Sequence, residues 1–171
     1  MIITQEMVLD RLSYDPDTGI FVWRKAYRKK DIGRVSGWIH NAKIKPYLLL
    51  LLHGKSYPAH RIAWLYIHGY MPEFEIDHID GDGLNNKLSN LREVTHAENC
   101  KNKRQSILNK SGCTGVSIHK ETGKWRARIR DGKNYFSLGL FANIEDAITA
   151  RKNAEIKYGY HQNHGSNRPL Y

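Results

Sequence analysis

Four polar residues within one segment have the types and spacing that a hydrolytic site needs. Asp77 and His78 are adjacent, Asn90 follows the aspartate by thirteen residues, and Asn99 comes nine residues later. An unperturbed imidazole is largely neutral near pH 7, so His78 is suited to accept a proton from an attacking water. The carboxylate of Asp77 could hold a cation that relieves charge on a leaving oxygen. This combination is typical of phosphodiester hydrolysis.

The charge of the chain is unevenly distributed. The net charge is +10, and residues 100–133 alone hold 10 basic and 2 acidic side chains, a net of +8. Such an excess indicates a polyanionic partner, namely DNA, RNA or an anionic membrane surface. By contrast, residues 73–82 hold five acids and no Lys or Arg. Either a cation lies between these acids and the phosphates, or the segment is simply an exposed acidic loop.

The composition excludes several classes of protein. With 171 residues, 40% hydrophobic and 26% charged, the chain is globular and long enough to bury a core. Its longest purely apolar run, Leu48 to Leu52, is far too short to span a membrane. Residues 1–12 include Gln5, Glu6, Asp10 and Arg11 where a secretory leader would be apolar, so no leader is expected. Two cysteines cannot form a disulfide scaffold, and we expect a reduced, cytoplasmic setting.

The elements that position the four residues can be read from local signals. Phe74–Ile79 is predicted as a short strand that turns at Gly81, and it carries Asp77 and His78. Because successive strand residues face opposite sides, Asp77 and His78 can act together only if the local twist aims both at one phosphate. A capping box that starts at Thr95 predicts a helix to about Arg104, which carries Asn99.

Residues before this segment predict a small α and β framework. Thr4 is expected to cap a short helix, and the Asp15–Gly19 turn leads into a strand at Ile20–Trp23. The basic, glycine-punctuated residues 26–37 are expected to form a loop. A hairpin over residues 47–57 and a helix from Pro58 to Gly69 complete this part.

On these residues the sequence resembles the HNH nucleases, especially their phage and homing-type branch. The resemblance covers about residues 10–104 and is carried by Asp77-His78, Asn90-Leu91 and Asn99, with His60-Arg61 and Trp64 upstream. It implies a ββα-metal fold, in which a two-stranded hairpin packs on a helix with a divalent cation between them. It also implies that Asp77 and Asn99 ligate one Mg²⁺ or Mn²⁺ ion per active site, that His78 is the base, and that the side-chain oxygen of Asn90 accepts a hydrogen bond from His78.

Several nearby residues keep two interpretations. Many HNH proteins have histidine at the third position, where this chain has Asn99, and His96 could be a substitute ligand. His60 could assist the site or be structural. Arg61 could reach a phosphate or pair with the acidic segment. Asp80, Asn85 and Asn86 could belong to the site or could simply form turns.

The C-terminal part predicts a second module of three strands and a helix. Strands are expected at residues 115–119, 124–130 and 135–138, followed by a helix that begins after Asn143 and ends at Gly159. In the middle strand, Trp125, Ala127 and Ile129 alternate with three arginines, so one face should pack on the helix. The arginine face could follow a phosphate backbone, or it could be an ordinary solvated surface.

This module resembles the plant APETALA/ethylene-response-type DNA-binding domain, and phage proteins combine such a module with an HNH domain. The matching residues are Gly115-Val116, Gly123-Lys124-Trp125, Ile129-Arg130-Asp131, Leu138-Gly139, Phe141 and Glu145-Asp146-Ala147. The resemblance implies a sheet in the major groove of double-stranded DNA. The residues that would face DNA are Ser117, His119, Arg126, Arg128, Arg130, Tyr135 and Ser137. Ser117 and Ser137 depart from the family pattern, so the target sequence cannot be carried over.

The sequence therefore predicts an α+β protein with four segments. These are an HNH nuclease domain at 1–104 with its core at 74–104, a basic linker at 105–112, a DNA-binding domain at 113–160 and a tail at 161–171. The expected function is that of a homing-type, divalent-metal-dependent DNA endonuclease, monomeric or homodimeric, in a bacterial host if phage-encoded. The alternatives are a catalytically silent, sequence-specific DNA-binding regulator and a protein that binds or cleaves RNA.

Overall fold

A computed structural model describes residues 2–41, 46–103, 105–106 and 108–166. Small antiparallel sheets and short helices alternate along the chain, which confirms the α+β class. The chain divides into two compact units after His96.

The first unit begins with a helix and a hairpin. Helix α1 (Gln5–Arg11) is capped by Thr4, whose hydroxyl accepts a hydrogen bond from the Met7 N–H, as predicted. Strands β1 (Leu12–Asp15) and β2 (Ile20–Trp23) pair in antiparallel register. The turn between them is closed by the Asp15 carboxylate, which accepts from the Asp17 N–H and the Thr18 hydroxyl.

A three-stranded sheet and a long helix follow. The sheet has the order β3 (Trp38–His40), β4 (Tyr47–Leu52) and β5 (Lys55–Pro58). Helix α2 (Ala59–His68) then begins after Pro58 and ends at Gly69, which adopts a left-handed conformation with φ of 81°. The hairpin and α2 are confirmed. Strand β3 lies just beyond the expected loop at 26–37, where a single helical turn at Lys29–Asp31 also forms.

A third hairpin carries Asp77 and His78, two of the candidate site residues. Strand β6 (Glu75–His78) pairs with β7 (Leu91–Val94), and helix α3 (His96–Cys100) follows. Helix α3 is shorter than expected within the described residues, and Arg104 lies outside them. The core of this unit is built from residues of α1, α2 and the strands. Its fully buried members are Val8, Leu12, Phe21, Leu50, Ala59, Ile62 and Ala63.

The second unit is a three-stranded sheet covered by one helix. Strands β8 (Val116–Ile118), β9 (Trp125–Asp131) and β10 (Asn134–Phe141) have β9 in the centre, and helix α4 (Ile144–Lys157) packs on one face. Its core contains Cys113, Val116, Ala127 and Ala147. Ala127 and Ile129 are buried whereas Arg128 and Arg130 are exposed, so the alternation predicted for the middle strand is present.

The segment expected to be a tail is partly ordered. Its residues 161–166 hydrogen-bond to residues 101–105, and His164 is buried. Residues 167–171 lie outside the described part of the chain. Cys100 and Cys113, both within the described residues, are not joined by a disulfide. Among the described residues, no helix has the length and apolar character to cross a bilayer.

Candidate active site

The β6–β7 hairpin buries both members of the Asp-His pair. Asp77 lies opposite Arg92 and His78 lies opposite Leu91 in the antiparallel register. Their residues are only 5% and 3% exposed. Burial of two polar side chains at a strand end requires partners for both, because an unsatisfied buried polar group costs about 1–3 kcal/mol. These partners define the geometry of the site.

Arg92 is the ion-pair partner of Asp77. Its Nε and one terminal nitrogen both donate to Oδ2 of Asp77, at 3.1 and 2.8 Å. Charge-assisted bonds of this kind orient a carboxylate strongly. The sequence alone does not reveal this pairing, since only the strand register shows that residues 77 and 92 lie opposite each other.

The imidazole of His78 contacts a side chain that sequence analysis treated as a possible turn former. Nε2 of His78 lies 3.3 Å from Oδ1 of Asn86. The ring of His60, from helix α2, packs against His78 edge to face, with 5.0 Å between centroids and an interplanar angle of 84°. Asn86 and His60 therefore both restrict the orientation of the histidine ring.

Asn86 is itself fixed on several sides. It is 1% exposed, its Nδ2 donates to the Leu84 carbonyl at 3.0 Å, and its own carbonyl accepts from the Tyr14 hydroxyl at 2.7 Å. A Cβ on Gly19 would lie 2.6 Å from the Asn86 carbonyl carbon, so the β1–β2 turn reaches this loop only because residue 19 is glycine. The first hairpin therefore braces the Asn86 loop.

These contacts determine the tautomer of His78. Because the Leu84 carbonyl can only accept, the amide nitrogen of Asn86 must face it, and Oδ1 must face His78. The neutral ring then carries its hydrogen on Nε2 and its lone pair on Nδ1. In this tautomer, Nδ1 is the atom that can accept a proton.

Asn90 holds the loop between the two strands. Its Oδ1 accepts from the Asp80 N–H at 3.0 Å, and its Nδ2 donates to Asp80 Oδ1 and to the Asn85 carbonyl, both at 2.9 Å. The expectation was that the Asn90 oxygen would orient His78. The structure instead gives that oxygen to a backbone amide of the loop, and Asn86 makes the contact with the ring.

Asp80 is a structural anion of the same loop. Burial opposes its ionisation, but hydrogen bonds from Asn85, Asn90 and the Asp82 N–H outweigh burial and lower the pKa of the Asp80 carboxyl. This confirms the turn-forming interpretation for Asp80 and Asn85, whereas Asn86 also contacts the catalytic candidate.

The other nearby candidates have structural contacts. Arg61 donates to the carbonyls of Pro72 and Phe74, at 2.9 and 3.2 Å, and so holds the segment that leads into β6. The expectation for Arg61 was a phosphate or the acidic side chains, but the structure shows these two carbonyls. Nδ1 of His96 lies 2.8 Å from a carboxylate oxygen of Glu75.

The proposed ligands of a divalent cation are oxygen donors. Asp77 offers a carboxylate and Asn99 a carboxamide, which suits Mg²⁺ or Mn²⁺. Both bonds from Arg92 go to Oδ2 of Asp77. Asn99 lies on α3 in the second unit. Its meeting with Asp77 stays a prediction. Among the described residues, no three His, Cys, Asp or Glu side chains converge as a metal site.

The β8–β9–β10 sheet presents most of the expected DNA-facing residues on one face. Cross-strand pairs join Arg126 to Ser117, Arg128 to Ser137 and Arg130 to Tyr135. Arg128 and Arg130 are exposed, and the Arg130 guanidinium lies over the Tyr135 ring, 5.2 Å from its centroid. This distance is within the range of about 6 Å for a cation–π contact. His119 lies beyond β8, where its Nδ1 contacts the Thr122 hydroxyl at 3.0 Å.

Comparisons with known proteins agree with this geometry. Residues 57–101, which include α2, the β6–β7 hairpin and α3, match the family model described as HNH endonuclease. Protein 3.8 of Escherichia phage T7 is 38% identical over 78 residues, which cover 44% of this chain and 64% of that protein. The chain thus aligns with somewhat less than two thirds of this curated relative. No solved structure gives a significant match. Residues 57–101 of the chain are therefore an HNH endonuclease domain, and a phage protein is its homologue.

Proposed function

We propose that the protein is a divalent-metal-dependent DNA endonuclease of the homing type that hydrolyses phosphodiester bonds. The observation that carries the proposal is the buried His78, which lies beside Asp77 within the HNH match and whose tautomer is set by Asn86. A histidine with a fixed ring and a lone pair on Nδ1 is prepared to take a proton from water.

The chain's own residues supply the proton transfer. His78 accepts a proton at Nδ1 as the water oxygen bonds to phosphorus, and the bond from phosphorus to the 3′ oxygen breaks. The Asn86 oxygen holds the Nε2 hydrogen throughout and favours the imidazolium that forms. A divalent cation held by Asp77 and Asn99 would stabilise the negative charge that develops on the phosphate and leaving oxygens. Arg92 orients the carboxylate of Asp77.

The second unit is proposed to bind double-stranded DNA through its exposed sheet face. Arg128, Arg130 and Tyr135 point away from α4 and are exposed, which supports contacts to phosphates and base edges. Along β9, alternate arginines are about 6.6 Å apart at ~3.3 Å rise per residue. In this proposal the second unit acts as an APETALA-type module and places its sheet in the major groove. The phage homologue supports action in the cytoplasm of a bacterial host.

The second candidate is a catalytically silent DNA-binding regulator. It is favoured by the ion pair between Asp77 and Arg92, since an arginine cation already neutralises the carboxylate that would hold the metal. Such a protein would bind DNA with strong salt dependence and would cleave it under no metal condition.

Plasmid cleavage distinguishes the two candidates. The full chain is incubated with supercoiled plasmid and Mg²⁺ or Mn²⁺, with His78→Ala and Asp77→Ala proteins and an EDTA reaction as controls. The endonuclease proposal predicts nicked or linear product from the wild type only. Equal cleavage by the wild type and both variants would indicate a contaminant and would overturn it, whereas binding without cleavage would support the regulator. The same assay with an RNA substrate tests the alternative that the protein cleaves RNA.

A further inference from the structure

A cleft in the first unit is lined by aromatic and cationic side chains that have no role in the proposed hydrolysis. Its volume is about 660 Å³. The lining residues that matter for its chemistry are Trp23, Tyr27, Arg28, Arg34, Trp38 and Leu51. They come from β2, the segment after it, β3 and β4, so strands form part of the cleft wall.

The aromatic rings of the cleft are unusually open to solvent. Tyr27 is 62% exposed and Trp38 is 43% exposed. Neighbouring Val35 and Leu51 are also exposed, so the rings belong to a contiguous apolar surface. Contiguous exposed apolar surface on a small domain is costly in water and marks binding sites. The Arg11 guanidinium already lies over the Tyr27 ring, 5.1 Å from its centroid, so Trp38 is the ring that can offer a flat apolar face to a partner.

The segment that forms the rim is strongly basic. Residues 24–34 contain six basic side chains and one acidic side chain, a net of +5. Arg28 is paired with Asp31 at 2.7 Å, and Arg34 also lines the cleft. Lys29 and Lys30 on the rim are exposed. This charge selects an anionic partner and disfavours an ordinary apolar protein surface.

We infer that this cleft binds an unpaired segment of DNA, with a base stacked on Trp38 and its phosphates near Arg34 and the rim lysines. Nucleobases combine a flat apolar face with an attached anion, which matches both halves of the lining. In a duplex the faces of the bases are covered by their neighbours, so only an unpaired strand can offer them. The choice of DNA over RNA rests on the proposed function.

Binding is tested on the full-length His78→Ala protein in EDTA, so that cleavage plays no part. The probes are fluorescein-labelled single-stranded dT and dA oligonucleotides of about ten nucleotides, and the readouts are anisotropy and intrinsic tryptophan fluorescence. Trp38→Ala should weaken single-strand binding by about tenfold or more, and Trp38→Phe by only a few fold. Trp38→Phe should also remove the part of the fluorescence quenching that arises at Trp38, which separates stacking on this residue from signals of the other tryptophans.

Matched variants control for nonspecific effects. Ile39→Ala removes a residue that is 52% exposed on the same strand but is not part of the cleft lining, and it should leave affinity unchanged. Arg34→Gln should weaken binding and reduce the salt slope by about 0.7, whereas Lys55→Gln on β5 should do neither. Arg34→Gln also provides a second variant if Trp38→Ala fails to fold.

The inference is overturned if Trp38→Ala and Arg34→Gln both bind the single strand as the parent does. It is also overturned if Trp38→Ala weakens duplex binding by the same factor, or if an oligo-rU strand binds much more tightly than dT. None of these results depends on cleavage, so plasmid hydrolysis by the wild type would still support the proposed function. Conversely, a wild type without cleavage activity would leave the stacking result intact.

Discussion

Oδ1 of Asn86 lies 3.3 Å from Nε2 of His78, and both residues are almost fully buried. Because the Asn86 amide is held in one orientation by the Leu84 carbonyl, this contact assigns the hydrogen of neutral His78 to Nε2. Asn86 is therefore a positioning residue: it acts through His78 and has no proposed contact with DNA.

Replacement of Asn86 by alanine should lower kcat for plasmid cleavage by about 10–100-fold, as is typical when a group that orients a catalytic ligand or base is lost. The dissociation constant for DNA should not change. Cleavage rates and DNA binding are measured on the same protein, and thermal unfolding checks that Asn86→Ala still folds. A kcat equal to that of the wild type would exclude the positioning role.

Asn86→Asp gives a pH signature that a purely structural residue would not. A carboxylate next to the ring favours the imidazolium and raises the pKa of His78. Since His78 must be neutral to accept a proton, the rising limb of the pH–rate profile should move to higher pH. Profiles of kcat/KM for the wild type and Asn86→Asp from pH 5.5 to 9 measure the shift, and superimposable profiles would contradict it.

The ion pair between Asp77 and Arg92 should contribute to the stability of the first unit. Arg92→Gln leaves a buried carboxylate without its cation and should lower the free energy of unfolding by about 2 kcal/mol. This is less than for a fully buried pair, because the Arg92 side chain is about one third exposed. Urea unfolding of Asp77→Asn, Arg92→Gln and the double variant measures the coupling. A coupling energy near zero would show that the pair contributes nothing.

The exposed arginines of β9 should determine the salt dependence of DNA binding. Arg128→Gln combined with Arg130→Gln removes two cations from the sheet face and should reduce the slope of log K against log salt concentration by about 2. Anisotropy with a labelled duplex at several salt concentrations gives the slope. Lys120→Gln, an exposed lysine outside the sheet, serves as the matched control. Equal slopes for the double variant and the control would refute the proposed DNA-binding face.

His164 should make the second unit sensitive to acid. Burial lowers the pKa of His164 to about 4, and its Nε2 accepts a hydrogen bond from Arg151 at 3.2 Å, which requires the neutral ring. The unfolded chain takes up this proton near pH 6.5, whereas the folded chain does so only near pH 4. Stability from the neutral ring is therefore complete above about pH 6.5 and is lost as pH falls toward 4, by roughly 2–3 kcal/mol.

The measurement is urea unfolding of the wild type and His164→Asn at pH 7.5 and pH 5. The difference in unfolding free energy between the two proteins should shrink at pH 5, because only the wild type carries this linkage. The same difference at both pH values would show that His164 titrates normally in the folded protein.

Several elements could be predicted because local signals coincide with burial. Helix α2 has a proline before its first residue, apolar residues at helical spacing and a glycine at its end, and each signal agrees with the structure. Strand β9 is similar, since its buried and exposed residues alternate in sequence. In both cases one face packs on a core, so the hydrophobic period records the structure directly.

Other features could not be predicted because they depend on contacts between distant residues. All three residues of β3 are exposed, so this edge strand has no alternation to detect. Asn86 looks like any loop asparagine until the fold brings His78, Tyr14 and Gly19 around it. The His-Asn contact, the Asp77–Arg92 pair and the cleft beside Trp38 likewise follow from strand register and packing.

The most direct test of the proposed activity is the cleavage of supercoiled plasmid by the full chain with Mg²⁺ or Mn²⁺, compared with His78→Ala at equal DNA occupancy. The proposed mechanism predicts that the wild type converts plasmid to nicked or linear product, whereas His78→Ala binds the same DNA with the same affinity and gives no product above the EDTA reaction. Cleavage by His78→Ala at the wild-type rate would contradict the assignment of His78 as the base. Absence of cleavage by the wild type under every metal condition would contradict the endonuclease itself.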